Sequence, residues 1–463
     1  MSALARGVAV GVFYAVGIVL LPTNVIAANL KVVPSVLLAE KYSNNLFLSA
    51  QPTVSDWVTV INPAILIGLQ TADTQLGVDY GINKQIVKDS SQLNRMYQTL
   101  DVNFSAYQQN NLSFASSASI REQPISYGNS TTSRIVVSND FEEVKSGFVN
   151  PSLSLSGRNY SMKADYTFGL SRYETQTTSS SNLHGVTLEV DSGRHRSPVM
   201  VSAKWSETKV DYINIKDGSS SFLDAYLQMA YRYNSKLQFS YGRGKEQNVD
   251  DRLSTRSEGY YWKAGLLFRP KSYMSLNLSS GEHYYGRSYS GSLSYDRSRI
   301  IIDMGYEEET TSDARRVFAP EGGSSEPDFS SYLRVRNDIF LTKTLSSRVE
   351  YQWHRLRLQY SSSGLHRSSQ SSNLFQRTYI HRFMVAYQMK REDLLAVRYD
   401  YIRIWSDPNE SVSADETLSI NYLRQLNRRV NLALDLSSRA RSASGSRPGY
   451  REKQVVATIE MSF

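Results

Sequence analysis

Apolar and polar residues alternate with a period of two through most of the chain after about residue 34. In residues 160–170, for example, apolar side chains at every even position are separated by Ser, Lys, Asp, Thr and Gly. Residues 223–233 and 455–463 show the same alternation. Because successive side chains of a strand point to opposite faces, such segments predict strands with one apolar and one polar face. The sequence therefore predicts an all-β protein.

Two architectures fit strands of this kind. A soluble sandwich or propeller would bury the apolar face against another sheet, whereas a membrane barrel would turn it towards lipid. The apolar faces often end in Tyr, Trp or Phe, and the segments run for about 9 to 14 residues, near the length that crosses a bilayer at a tilt. The polar faces carry charges in mid-strand, which suit a wet lumen better than a dry core. These are Asp165, Arg232, Lys263, Arg334, Arg336, Arg382, Arg398 and Asp400. The pattern favours a transmembrane antiparallel up-and-down β-barrel in a bacterial outer membrane.

The number of strands follows from the length of chain available. At roughly 22 to 26 residues per strand and connection, the sequence predicts about 18 strands, within a range of roughly 16 to 22. Asn234 and Ser235 suit a tight turn, while residues 123–134, 176–182, 242–256, 310–330 and 361–371 suit longer polar loops. We therefore expect short turns on one rim and long loops on the other.

The amino end has the features of a secretory signal peptide. Arg6 precedes an apolar run over residues 7–21, Pro22 breaks that run, and Ala27 ends a small-x-small cleavage site. The alternative is a membrane anchor, but the run is shorter than the roughly 20 residues that cross a bilayer. We expect residues 1–27 to be removed and residues 28–463 to form a single barrel domain.

Composition narrows the possible chemistry. The chain has no Cys, which excludes disulfides, thiolate metal sites and cysteine nucleophiles. Its net charge of +8 is spread along the chain and does not indicate nucleic-acid binding. The six His are scattered, and the run from Glu307 to Glu309 suits a solvated rim better than a cation site. No cofactor and no metal ion are predicted.

The candidate functional residues are charges that would line the lumen. Arg334, Arg336, Arg382 and Arg398 fall on the polar faces of strands in the carboxy-terminal half, as does Asp400. Charged side chains in a confined pore set its selectivity, so these residues predict selectivity for anions or docking of an acidic polymer. The alternative is that they form ion-pair ladders with nearby acids, with a purely structural role.

The carboxyl end alternates up to a terminal aromatic residue. Ile459, Met461 and Phe463 share one face of the last strand. This ending resembles the signal by which the barrel-assembly machinery recognises outer-membrane barrels.

A second resemblance lies near the start of the mature chain. Residues 40–48 read EKYSNNLFL, Ser55 and Asp56 follow, and a Pro63-bearing segment leads to a strand closing on Tyr80. This resembles the opening of bacterial outer-membrane β-barrel porins that include exosortase-associated (PEP-CTERM system) proteins. The match covers roughly residues 38–82 and the last strand, and Asn44 stands where such openings more often have Asp. The resemblance implies a link with exopolysaccharide or cell-surface export, and it lends no catalytic residues.

Three hypotheses follow. The favoured one is a porin-like channel or export conduit, with lipid, the assembly machinery and polysaccharide or small anionic solutes as partners. The alternative is a plugged barrel that anchors a surface or secretion assembly. The least favoured is a barrel hydrolase, for which His354 or His381 would be the candidates. Catalytic residues are not predicted, and the oligomeric state stays open.

Overall fold

The computed structural model describes residues 29–48, 53–107, 111–124, 141–174, 180–192, 198–213, 218–250, 255–312, 339–369, 375–406, 413–442 and 449–463. These residues form 22 strands and one short 3-10 helix, Ser91–Leu93. None of them forms a helix long and apolar enough to cross a membrane. The strands are β1 (Asn29–Ser43), β2 (Asp56–Gln70), β3 (Thr74–Val87), β4 (Arg95–Tyr107), β5 (Leu112–Pro124), β6 (Phe141–Ser156), β7 (Tyr160–Tyr173), β8 (Ser180–Ser192), β9 (Val199–Ile213), β10 (Gly218–Arg232), β11 (Leu237–Asp250), β12 (Thr255–Lys271), β13 (Met274–His283), β14 (Gly286–Arg297), β15 (Ile300–Ser312), β16 (Ile339–Trp353), β17 (Leu356–Ser369), β18 (Phe375–Gln388), β19 (Asp393–Ser406), β20 (Ser413–Asn427), β21 (Val430–Arg441) and β22 (Tyr450–Ser462).

Each strand pairs antiparallel with the next along the chain, and β22 pairs antiparallel with β1. The sheet is therefore a closed up-and-down barrel, and the predicted fold class is confirmed. The predicted count of about 18 strands is wrong, because the barrel has 22. The allowance of residues per strand was too generous, since connections such as 272–273 and 428–429 are only two residues long.

Two of the predicted loops are strands. Residues 242–250 belong to β11, and the Ser-rich residues 361–369 belong to β17. Small polar residues have little strand preference of their own, but pairing with two neighbouring strands decides their conformation in a sheet. The segments extend the wall towards one rim of the barrel.

The register divides every strand between the same two faces. Directly paired residues share a face, and tracing the pairs around the barrel places Leu38, Leu227 and Ile459 on one surface. That surface carries the exposed aliphatic residues, so it is the outer one, facing lipid. Exposed aromatic residues border the apolar belt on both sides; they include Trp57, Tyr160, Tyr231, Tyr260, Trp353, Tyr379, Tyr387 and Phe463. The opposite surface lines the lumen.

The two rims differ in their connections. One rim, here called the short-turn rim, has the start of β1, the end of β22 and tight connections such as 298–299 and 354–355. The other, here called the loop rim, has the connection 88–94, the ends of β1 and β15 and the starts of β2 and β16. Phe463 lies at the short-turn rim, where its backbone N–H donates to the Pro34 carbonyl at 2.9 Å.

Candidate functional site

A row of directly paired residues crosses eight strands of the lumen wall, from β15 to β22. Each member is opposite the next in the strand register, so the row runs perpendicular to the strands. Because barrel strands tilt by roughly 35–45° from the axis, the row climbs obliquely from near the short-turn rim towards the loop rim. This lumen row consists of Asp303, Arg348, Ser361, Arg382, Asp400, Thr417, Arg439 and Glu452.

Asp400, the fifth of the eight residues in the row, is the acid of the central charged cluster. Its side chain is 2% exposed, with the Arg398 Nε at 2.8 Å and the Arg382 Nε at 3.8 Å from its carboxylate oxygens. The Arg398 side chain is 37% exposed to the lumen. Two guanidinium groups thus cover one buried carboxylate, and the cluster presents a net positive charge to the lumen.

Glu350 forms a second cluster of one acid and two arginines, on β16 and β17, beside the strand pair β18 and β19 that carries the Asp400 cluster. Arg348 Nη2 lies 2.6 Å from one of its carboxylate oxygens, and Arg357 Nε lies 2.8 Å from the other. The Glu350 side chain is buried, whereas that of Arg357 is 46% exposed. The carboxylate again holds two arginines in place and leaves their donors facing the lumen.

The third cluster, around Asp415, is more deeply buried and lies near the loop rim. Arg441 donates to both carboxylate oxygens, at 2.6 and 2.8 Å, and Arg439 lies 3.6 Å away. Both guanidinium groups also contact the Tyr450 ring, at 5.0 and 5.6 Å from its centroid. All three charged side chains are less than 10% exposed. This cluster therefore stabilises the wall more than it charges the lumen.

The wall from β7 to β15 has the opposite character. Among its described lumen-facing residues, acids outnumber bases: Asp165, Glu189, Asp191, Asp224, Glu246, Asp296, Asp303, Glu307 and Glu309 against Lys163, Lys204, Arg232 and Lys263. The wall from β7 to β15 is thus acidic, whereas on the wall from β16 to β22 arginines and acids nearly balance, with Arg357 and Arg398 partly exposed to the lumen.

An aromatic stack is part of this acidic wall. The Tyr226 and Tyr261 rings are stacked at 5.5 Å between centroids, and His283 stacks on Tyr261 at 4.6 Å. Tyr261 donates to Asp224 at 2.7 Å, and His283 Nδ1 lies 2.9 Å from Glu246. Tyr285, in the connection after β13, continues the stack, and burial raises the pKa of its phenol. The stack holds the two acids in fixed positions.

The structure brings together three of the predicted site residues. Arg382, Arg398 and Asp400 form the central cluster described above. Arg334 and Arg336 lie outside the described residues, as does Ala27. Ile459 and Met461 lie on the outer face near the short-turn rim, in register with Leu38 and Val36 of β1.

Neither hydrolase candidate lies beside the lumen row. His381 is on the outer face, where its Nδ1 is 3.2 Å from the Tyr360 hydroxyl and its ring lies beside Tyr401. His354 is in the turn 354–355, with a φ of 51°. In the part of the chain that the structure describes, no three His, Asp or Glu residues are placed to hold a metal ion.

Sequence reasoning missed Arg348, Glu350 and Arg357. The signal was present, since Arg348 and Glu350 share the polar parity of a segment that ends at Trp353. Nothing local showed that Arg357, on the following strand, would reach the same carboxylate. The register between β16 and β17 decides that contact.

At the loop rim, side chains from the connections cover the inner face of the wall and narrow the opening of the barrel. Leu46 and Leu93 pack on Val58, Val60 and Val87, which belong to the lumen face of the wall. The connections after β1 and β3 therefore fold inward over the barrel wall. Two further lumen-facing apolar clusters near this rim are also buried: Leu365, Ile380, Ile402 and Ile404, and Leu183, Val210 and Tyr212.

Comparison with solved structures finds barrels of the same fold. The FrpB iron transporter from Neisseria meningitidis (F5-1 variant) matches with a TM-score of 0.56 and 8% identity, over 93% of this chain and 82% of that chain. A mutant ferric enterobactin receptor from Pseudomonas aeruginosa, in complex with enterobactin, matches with a TM-score of 0.53 and 9% identity, over 93% and 81%. No protein-family model and no curated protein sequence matches the chain.

At such low identity the likeness shows the fold alone. It agrees with the closed barrel described above. Closed barrels with a lipid-facing apolar belt are the β architecture that spans membranes. The chain is a 22-stranded β-barrel protein of the bacterial outer membrane.

Proposed function

We propose that the barrel is a passive conduit for polar solutes and that the lumen row guides acidic solutes through it. The observation that carries this proposal is the oblique path of the row across eight strands, from near one rim to near the other. An anionic group released by the Glu350 cluster would meet the partly exposed guanidinium groups of the Asp400 cluster further along the wall. Multiple weak sites of this kind favour conduction over retention.

Charge placement supports the same proposal. The carboxylates of Glu350 and Asp400 are buried, while Arg357 and Arg398 remain partly exposed to the lumen. A solute therefore meets hydrogen-bond donors before it meets the acids that hold them. Guanidinium groups bind carboxylates and phosphates in a bidentate manner, so acidic polymers or small anions would be the preferred solutes.

The width of the barrel also supports a conduit. Barrel diameter grows with strand number, and 16 to 18 strands already leave an aqueous channel in porins. Besides the wall strands, the described residues contain one short helix and no separate domain inside the lumen. A link with exopolysaccharide or cell-surface export is a prediction from the resemblance of residues 38–82 and 459–463. A porin-like role is part of the present proposal.

A second candidate is a substrate-specific receptor, or a plugged barrel that anchors a surface assembly. The narrowed loop rim, where Leu46 and Leu93 cover the wall, favours it. Barrels of 22 strands in outer-membrane transporters have a plugged lumen. The similar solved structures are an iron transporter and a ferric enterobactin receptor, so an iron chelate would be the ligand class to test first.

Planar-bilayer recording separates the two candidates. The conduit predicts single-channel conductance of the purified protein and a reversal potential that moves towards cation selectivity in an Arg382→Gln/Arg398→Gln variant. A matched control is Arg451→Gln/Lys453→Gln, which removes two positive charges from the outer face of β22. The absence of any conductance would exclude the conduit, and an unchanged reversal potential would exclude a role for the row.

A further inference from the structure

A second row of directly paired charged residues lies on the outer face of the barrel, near the loop rim. In the register, Glu308 of β15 is opposite Lys343, Lys343 is opposite His366, and His366 is opposite Arg377. Arg403 of β19 is opposite Tyr379, two residues from Arg377 along β18. Lys343, His366, Arg377 and Arg403 are here called the outer basic patch.

Among the described residues, one acid, Glu308, forms an ion pair with the outer basic patch. Glu308 lies 3.3 Å from Lys343 Nζ, is buried, and also accepts a hydrogen bond from Tyr306. Arg377 and Arg403 are exposed, and their guanidinium groups lie 5.5 Å from the Phe375 ring centroid and 4.3 Å from that of Trp405. The aromatic rings hold the two arginines close to the wall.

Basic residues directly opposite one another destabilise a sheet unless something offsets their repulsion. Two cations, Lys343 and Arg377, lie on either side of His366 in three consecutive paired positions. The buried Glu308 offsets the charge at one end of the row only. An anion bound over His366 and Arg377 would offset the charge at the other end.

The height of the patch on the barrel indicates which anions can reach it. Towards the membrane, the next outward residues on the same strands are Leu345 and Tyr379, which are exposed and belong to the lipid-facing belt. The patch is therefore level with the lipid headgroups on the loop side of the membrane, which in outer-membrane barrels is the extracellular side. Acyl chains lying on Leu345, Tyr360 and Phe383 would place a headgroup phosphate against the basic side chains.

We propose that the outer basic patch binds the phosphate groups of a phosphorylated glycolipid of the outer leaflet. Arg377 and Arg403 supply paired donors for phosphate oxygens, and Lys343 supplies further positive charge. The site is on the lipid side of the wall and is independent of conduction through the lumen. It adds a lipid ligand to the proposed function.

The test compares lipid binding by three purified proteins. These are the wild type, a Lys343→Gln/Arg377→Gln/Arg403→Gln variant, and an Arg424→Gln/Arg428→Gln/Arg429→Gln control, which removes three charges at the exposed short-turn rim. The probe is bis-phosphorylated lipid A added to delipidated protein in detergent, with bound lipid counted by native mass spectrometry. Heat-modifiable gel migration verifies that each barrel is folded.

We expect the patch variant to bind lipid A about tenfold or more weakly than the wild type and the control, because it loses several charge-assisted contacts. Lipid A stripped of its phosphates should bind all three proteins equally weakly. Equal binding of lipid A by the variant and the wild type would overturn the proposal. The proposal would also be overturned if the wild type bound the dephosphorylated lipid as tightly as lipid A. Displacement of lipid A by inorganic phosphate at matched concentration would overturn it too, because free phosphate would then be the ligand.

Discussion

Asn44 and Lys453, 409 positions apart in the chain, are joined by two hydrogen bonds across the strand pair that closes the barrel. The Asn44 backbone N–H donates to the Lys453 carbonyl at 3.2 Å, and the Lys453 N–H donates to the Asn44 side-chain oxygen at 2.7 Å. Asn45 donates from its side chain to the Arg451 carbonyl at 3.0 Å, and Ser43 donates to Glu452 at 2.7 Å. The segment from Ser43 to Asn45 therefore fastens β1 to β22 at the loop rim.

The closing strand pair yields the first prediction. Asn45→Ala removes a fully buried side chain that bonds to the partner strand, so we expect it to lower the free energy of unfolding by about 1–3 kcal/mol. The measurement is the temperature at which the folded band disappears in heat-modifiable gel migration. Asn427→Ala, which removes one exposed turn bond at the other rim, is the control. Equal loss of stability in the two variants would show that the hydrogen bonds from Ser43–Asn45 to β22 stabilise the barrel no more than an exposed turn bond does.

A second prediction concerns the central cluster of the lumen row. Asp400→Asn removes the carboxylate that partly neutralises Arg382 and Arg398, so bilayer recordings should show a shift towards anion selectivity. The shift should fade in 1 M salt, where the Debye length falls to about 3 Å. Glu460→Gln removes an exposed acid from the short-turn end of the same wall and should have a smaller effect. A shift towards cations would contradict the assigned geometry.

A third prediction tests the close contact between the Tyr261 ring of the aromatic stack and Gly244 of the wall. A Cβ atom at Gly244 would lie 2.5 Å from Tyr261 Cζ and 2.6 Å from the Ala225 carbonyl oxygen. Gly244→Ala should therefore cost about 1–3 kcal/mol of folding free energy through overpacking. Gly77 is the matched control, because a Cβ there has open space. If both alanine variants unfold at the same temperature, the ring does not lie over Gly244 as described.

A fourth prediction concerns the narrowed loop rim. Leu46 is buried against the lumen wall, whereas Phe47 beside it is exposed. Leu46→Asp should release the connection after β1 from the wall, because a charge would replace an apolar contact that contributes roughly 2–5 kcal/mol. Single-channel conductance should rise in this variant and stay near the wild-type value in Phe47→Asp. Unchanged conductance in both would mean that this connection does not narrow the path.

The sequence predicted the faces of the strands well and the site in part. The alternation in residues 160–170 and 223–233 predicted both β7 and β10. Arg382 and Asp400 were predicted on the polar face, but their pairing depends on the register between β18 and β19. The Ser-rich residues 361–369 were predicted as a loop because their small polar side chains show no apolar parity. Only their pairing with β16 and β18 makes them a strand.

The motif at residues 43–46 shows the same division. From the sequence it resembles an opening shared with other outer-membrane barrels, in which Asn44 stands where Asp is more frequent. In the structure these residues join β1 to β22, because their hydrogen-bond partners are Arg451, Glu452 and Lys453 near the carboxyl end of the chain. No local pattern can identify such partners.

What the sequence determined by itself is the local geometry: strands with a lipid-facing and a lumen-facing side. This follows because each backbone step turns the side chain to the opposite face, so parity alone sorts the residues. What only the tertiary structure decided is the number of strands, the oblique alignment of Arg348, Arg382 and Arg439, and the inward fold of Leu46. These depend on how every strand is registered against its neighbours until β22 meets β1, a condition on the whole ring that no short segment of the chain contains.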